Sequence, residues 1–156
     1  MATDDLDRAL GDAERILLDS SAMVALHNQH EVAHPLAQHL FRRIEHEADP
    51  LRGYLSVVSF AEILVRPHRT SHADFTYMHD FVFNFPNLTI LPMDATVAVQ
   101  AATIRSSMRL LLPDAMVIAA GLLAGCEAIV SNDARWKQRG AGLFPQFRWI
   151  YLSDYL

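Results

Sequence analysis

The chain has 156 residues, 51% of them hydrophobic and 20% charged, and a formal net charge of −5. That length and balance fit one folded domain with its own core and exclude an intrinsically disordered chain. Twelve arginines and a single lysine against eighteen acids argue against broad nonspecific attraction to a polyanion, and the lone Cys126 rules out an internal disulfide.

Residues 1–14 are polar and acidic and are expected as a loose arm or a short helix, set apart from a domain at 15–156. They lack a basic n-region and an apolar h-region, so no signal peptide is read there and a cytoplasmic protein is expected. No apolar run approaches the ~20 residues needed to cross a bilayer. A strand is predicted at Arg15–Leu18, then a helix from Ser20 or Ser21 to about His30. Pro35 opens a second helix to about Glu47, with Leu36, Leu40, Phe41 and Ile44 on one face. That stripe serves as core, or alternatively as a homodimer or partner interface. After a turn at Asp49-Pro50 and Gly53, Tyr54–Val58 reads as a strand, and Ala61–Val65 starts a helix ended by Pro67. A helix at about 71–83 stops at Pro86-Asn87, and Leu88–Leu91 is a short strand. Asp94 caps a long amphipathic helix, and Pro113 opens another at Asp114–Ala124, closed by Gly125. Ala128–Ser131 is a strand, Ala134–Gln138 a short helix and Trp149–Leu152 a last strand. Strands that alternate with helices and are apolar throughout indicate an α/β fold with a parallel sheet covered on both faces.

In open sheets of this kind, ligands bind beyond the carboxyl ends of the strands. Asp19 and Asp133 lie at such ends, and Glu62 and Asp114 are expected in the first turns of nearby helices. The bland role for any one acid there is helix capping, worth roughly 0.5–2 kcal/mol. Asp94 needs no other role. Glu62 and Asp114 fit capping less well, because Phe60-Ala61 and Ile63-Leu64 flank one while Leu110–Leu112 and Met116–Ile118 flank the other. Acids in such apolar surroundings are kept paired or bound to a cation. Four carboxylates brought together repel one another, and hard oxygens select Mg²⁺ or Mn²⁺.

Four segments carry these acids in order: Ile-Leu-Leu-Asp19-Ser-Ser-Ala, Ser-Phe-Ala-Glu62-Ile-Leu, Leu-Pro-Asp114-Ala-Met-Val-Ile-Ala-Ala and Ile-Val-Ser-Asn-Asp133-Ala-Arg-Trp. Over about residues 15–155 the set resembles the PIN-domain ribonucleases, and within them the VapC toxins of toxin–antitoxin pairs. The resemblance implies a PIN-like three-layer α/β/α sandwich with a mostly parallel central sheet. It implies an acidic catalytic site of Asp19, Glu62, Asp114 and Asp133 holding Mg²⁺ or Mn²⁺; within it Asp19 and Asp114 are the expected direct or water-bridged metal ligands. Ser21 and Ser131 match the small hydroxyl residues that support such a site. An RNA substrate, a cognate antitoxin and a homodimer are the partners implied, and no membrane.

Metal-assisted hydrolysis of an RNA phosphodiester is the expected chemistry. Arg105 and Arg109 on one helix face, and Arg135, Lys137 and Arg139 after Asp133, are candidate phosphate contacts; a solvated face is the plain alternative. His27, His30 and His34 fall close to one helical face, and His68 and His72 lie four apart, spacings that would suit zinc, but no cysteine or second motif joins them. Two other classes compete. A noncatalytic RNA- or protein-binding module would keep the fold without needing the full acid set. A phosphoryl-transfer receiver would want a second acid beside Asp19 and a lysine after a late strand, whereas Lys137 lies in a helix.

Overall fold

The structure, a computed structural model, describes residues 1–140, 144, 145 and 147–156, apart from the side chains of residues 139 and 140. Its elements in order are α1 (Ala2–Leu10), β1 (Arg15–Leu18), α2 (Ser20–His27), α3 (His34–Glu45), β2 (Arg52–Ser56), α4 (Val57–Thr70) and α5 (His72–Asn84). There follow β3 (Leu88–Leu91), α6 (Ala95–Met108), α7 (Leu112–Leu123), β4 (Ala128–Ser131), α8 (Ala134–Gly140), β5 (Arg148–Tyr151) and a 3₁₀ turn at Leu152–Tyr155. The five strands form one sheet in the order β3-β2-β1-β4-β5, and every pair is parallel.

The central strand β1 shows why the apolar runs do not alternate. Ile16 and Leu18 enter one core with Leu55, Val130 and Ile150, covered by α1, α2 and α3. Leu17, pointing to the opposite face, enters a second core with Ile129, covered by α6 and α7. A strand with helices on both sides buries both faces, and the result is a three-layer α/β/α sandwich. Each leucine so buried contributes roughly 1.5–3 kcal/mol. The α7–β1 contact is close enough to require glycine: a Cβ at Gly121 would lie 2.6 Å from Cδ2 of Leu17.

Residues 1–14 contain a helix that is docked on the fold. Leu6 and Leu10 are fully buried in the first core, and Asp7 accepts hydrogen bonds from His39 (2.9 Å) and Arg43 (2.9 Å) of α3. Arg148 of β5 donates to the Leu10 carbonyl and to Asp12.

Three sequence expectations need correction. β2 ends at Ser56 and α4 starts at Val57, because Ser56 Oγ accepts the Ser59 amide at 3.0 Å and caps the helix there. Glu62 therefore lies in the second turn of α4, not the first. Pro67 falls inside α4 and forgoes the bond its amide would give to the Ile63 carbonyl, yet the helix runs on to Thr70. The chain leaves helical geometry after His27 and α3 begins at His34, so His27, His30 and His34 share no helix face. Leu36, Leu40, Phe41 and Ile44 are all buried in the first core, as the reading of that stripe as core expects, and the alternative of a partner interface falls away. Among the described residues no single helix is long and apolar enough to cross a membrane.

Candidate active site

Asp19, Glu62, Asp114 and Asp133 come from four segments and line one cleft of about 400 Å³ at the carboxyl edge of the sheet. Ser20, Ser21, Glu31, Asn132, Arg135 and Trp136 complete most of its wall.

Asp19 is the floor of the cleft, only 5% exposed, and follows directly on β1. As the residue before α2 it has a cap's position, but among the described backbone amides its carboxylate reaches that of Ser20 alone, at 2.7 Å, and not one further into the helix. Asp94, by contrast, reaches forward to the Val97 amide at 2.9 Å, as a plain cap does. The other oxygen of Asp19 receives the hydroxyls of Ser21 (2.7 Å) and Ser131 (3.0 Å). Each hydroxyl in turn accepts a backbone amide: Asn132 N–H donates to Ser21 Oγ at 2.7 Å, and Asp133 N–H to Ser131 Oγ at 3.0 Å. Two serines thus join the end of β1 to the end of β4 through a buried carboxylate. Such bonds to a charged group fix its direction and contribute more than neutral ones.

Asp114 is the third residue of α7 and partly buried. Burial, then the Asp19 charge, raise its pKa; the Arg135 charge and a hydrogen bond from the Trp136 side chain oppose that, and Asp133 adds to it. Glu62 is likewise raised, first by burial and then by Asp19 and Asp114, against a hydrogen bond from Ser20 and the charge of Arg135. Mutual repulsion among carboxylates in one small volume is what a bound cation relieves. Asp133 has a cation already: Nε of Arg135 stands 3.0 Å from each of its oxygens, and Nη2 faces the second. Asn132, also in the cleft wall, accepts the Ser153 hydroxyl at 2.7 Å through its side-chain oxygen.

The cleft's donors are carboxylates and hydroxyls, hard oxygens of the kind Mg²⁺ and Mn²⁺ take. Among the described residues no three His, Cys, Asp or Glu side chains stand close enough to encircle one ion. Mg²⁺ commonly keeps several waters and meets only one or two carboxylates, so this donor set suits a hydrated ion. The same observation leaves no zinc centre among the described histidines. Ring nitrogens of His27 and His34 are held by the carbonyls of Met23 and Ala25, each at 2.9 Å.

Of the basic residues expected near the site, Arg135 alone among the described ones lines the cleft. Lys137 donates to Asp154 and stacks over Tyr151, 5.7 Å from the ring centre. Arg105 is in the last turn of α6 and Arg109 just past it, both away from the cleft wall. The Arg139 side chain lies outside the described residues. Sequence reasoning missed Glu31, from the loop before α3, and Trp136, which is buried yet bonds Asp114. The only sequence signal for Trp136 was its place three residues after Asp133; Glu31 gave none.

Comparisons with known proteins agree with this architecture. Solved structures of similar fold include VapC20 of Mycobacterium tuberculosis, a sarcin–ricin-loop-cleaving toxin, at 18% identity and a TM-score of 0.64, over 80% of this chain and 95% of that one. A toxin–antitoxin complex from Klebsiella pneumoniae matches at 18% identity and TM-score 0.61, over 85% and 94%. VapBC-1 of nontypeable Haemophilus influenzae matches at 10% identity and TM-score 0.64, over 89% and 98%. At such identities the likeness is one of fold. No curated protein matches the chain in sequence. The PIN domain family model matches residues 16–142, a span holding all four acids, and the chain therefore belongs to the PIN domain family.

Proposed function

We propose that this protein is a metal-dependent endoribonuclease that hydrolyses RNA phosphodiester bonds as the toxin of a cytoplasmic toxin–antitoxin pair. The observation that carries the reading is the convergence of Asp19, Glu62, Asp114 and Asp133 on one cleft, with Asp19 held by Ser21 and Ser131. Membership of the PIN domain family supports it, as do folds shared with toxins solved in complex with their antitoxins.

Asp19 and Asp114 are the residues to hold Mg²⁺ or Mn²⁺, with Glu62 and Asp133 completing the negative wall. When bound, a divalent ion supplies Lewis-acid charge that promotes ionisation of water and offsets charge developing on the phosphate oxygens. Ser21 and Ser131 keep the Asp19 carboxylate aimed into the cleft. Arg135 offers a fork matched to phosphate oxygens. Attack by water in line with the leaving 3′ oxygen leaves 5′-phosphate and 3′-hydroxyl ends, and the 2′-hydroxyl takes no part as nucleophile. A homodimer remains part of the proposal, through a surface other than the buried face of α3.

The test is cleavage of total cellular RNA by purified, antitoxin-free protein with Mg²⁺ or Mn²⁺, with EDTA, and by the Asp114→Asn variant. Discrete fragments that vanish in both controls are expected. Cleavage surviving both refutes the assignment.

A further inference from the structure

Arg135 is placed where a phosphate contact would be useful, yet its guanidinium is engaged with Asp133. Three short contacts make that engagement a fork: Nε to both carboxylate oxygens at 3.0 Å, and Nη2 to the second at 2.5 Å. The Arg135 backbone amide also reaches Oδ1 at 2.9 Å. A carboxylate with both oxygens facing a guanidinium meets an ion only after that contact opens. The arm is free to open, since the Arg135 side chain is 64% exposed while Asp133 is 22% exposed. The charge of Arg135 is felt by Glu62 and Asp114 as well, so it already does part of what a cation would do there. Lys137 is held by Asp154 and does not share the task.

We propose that Arg135 is an internal counter-ion that holds Asp133 in the cation-free cleft and yields that carboxylate when a divalent ion enters. Released, the same planar fork is within a side chain's length of the cleft and can take two phosphate oxygens, a geometry lysine does not offer. Arg135 is thus a positioning residue that links cation loading to readiness for the substrate phosphate. The inference rests on the reading of the cleft as a cation site.

The experiment is Mn²⁺ titration by calorimetry on wild type, Arg135→Ala, Arg135→Lys, Asp133→Asn and the double variant Asp133→Asn/Arg135→Ala. It is joined to NMR observation of the Arg135 Nε–H resonance in wild type as Mg²⁺ is added. Arg135→Ala should bind Mn²⁺ about two- to fivefold more tightly, the scale of one partly exposed ion pair. Arg135→Lys keeps the charge without the fork and should gain nearly as much. In the Asp133→Asn background the alanine substitution should gain clearly less, only what loss of the Arg135 charge beside Glu62 and Asp114 gives, and the Nε–H signal should shift as Mg²⁺ saturates. The proposal is overturned if Arg135→Ala binds no tighter than wild type, if Arg135→Lys equals wild type while alanine gains, if the gain is undiminished with Asp133→Asn, or if the Nε–H signal is indifferent to Mg²⁺. If no form of the protein binds Mn²⁺, the cation reading of the cleft falls first and takes this inference with it.

Discussion

Replacing Asp114 by Asn should stabilise the cation-free protein while removing its response to Mg²⁺. Burial and the Asp19 charge hold the Asp114 carboxyl above the ordinary carboxylate range. A carboxyl raised in this way favours the folded state at pH values below its unfolded pKa, and the benefit is lost as pH rises through the folded value. At pH 7.5 the wild type therefore carries the full penalty of an ionised, crowded Asp114. Asn has the same shape and keeps an oxygen to accept the Trp136 side chain, so the substitution removes charge and little else. One pKa unit corresponds to about 1.4 kcal/mol, and because the group is partly buried and partly screened, a gain of about 0.5–1 kcal/mol is expected. For a chain of this size that raises Tm by roughly 1–4 °C. Mg²⁺ at a hundred times its Kd should stabilise the wild type by about 2.7 kcal/mol and reverse the order. Thermal unfolding at pH 7.5, in EDTA and then in saturating MgCl₂, reads both effects. A variant that melts below wild type in EDTA, or that gains as much from Mg²⁺ as wild type does, refutes the reasoning.

Other expectations follow from the same contacts. Ser131→Ala deletes a donor to Asp19 and leaves the Asp133 amide without its partner; it should cost about 1.5–3 kcal/mol in urea unfolding and weaken Mn²⁺ binding measured by titration. Gly121→Ala drives a methyl into Leu17 and should cost about 1–3 kcal/mol, with part of the loss recovered by adding Leu17→Val. His27 packs edge-on against Phe81 at 4.5 Å, its Nε2 is buried without a partner among the described residues, and burial lowers its pKa. A lowered histidine contributes stability above its unfolded value, near ~6.5, and loses it as pH falls through the folded value. Urea midpoints measured from pH 8 to 5 should therefore move in favour of His27→Phe over wild type as the pH drops.

How much of this was legible in the chain depends on the range of the signal. β1, β3 and β4 fell within their predicted ends because each is a short apolar run bounded by a polar or turn residue, a purely local feature. The start of α4 was missed because Val57 and Val58 have strand propensity, and the Ser56 cap that overrides them is visible only when the helix is seen to begin there. Residues 1–14 looked polar overall, and the spacing of Leu6 and Leu10 carried the docking that their acidic neighbours obscured. The four acids could be singled out one by one because strand ends and helix starts are local. Their common cleft is a property of strand order, with β1 at the centre between β2 and β4. The fork between Arg135 and Asp133, the Trp136 bond to Asp114 and the approach of Glu31 depend on rotamers and loop paths that no spacing rule encodes.

The chemistry of the product ends, on one defined RNA that the protein cuts with Mn²⁺, tests hydrolysis at the acidic cleft. The same RNA would be tried in parallel with a single 2′-deoxy residue on the 5′ side of the cut. Attack by water at the acidic cleft predicts 5′-phosphate and 3′-hydroxyl ends and cleavage that persists at the deoxy position. A 2′,3′-cyclic phosphate, with cutting abolished by the deoxy substitution, would contradict it.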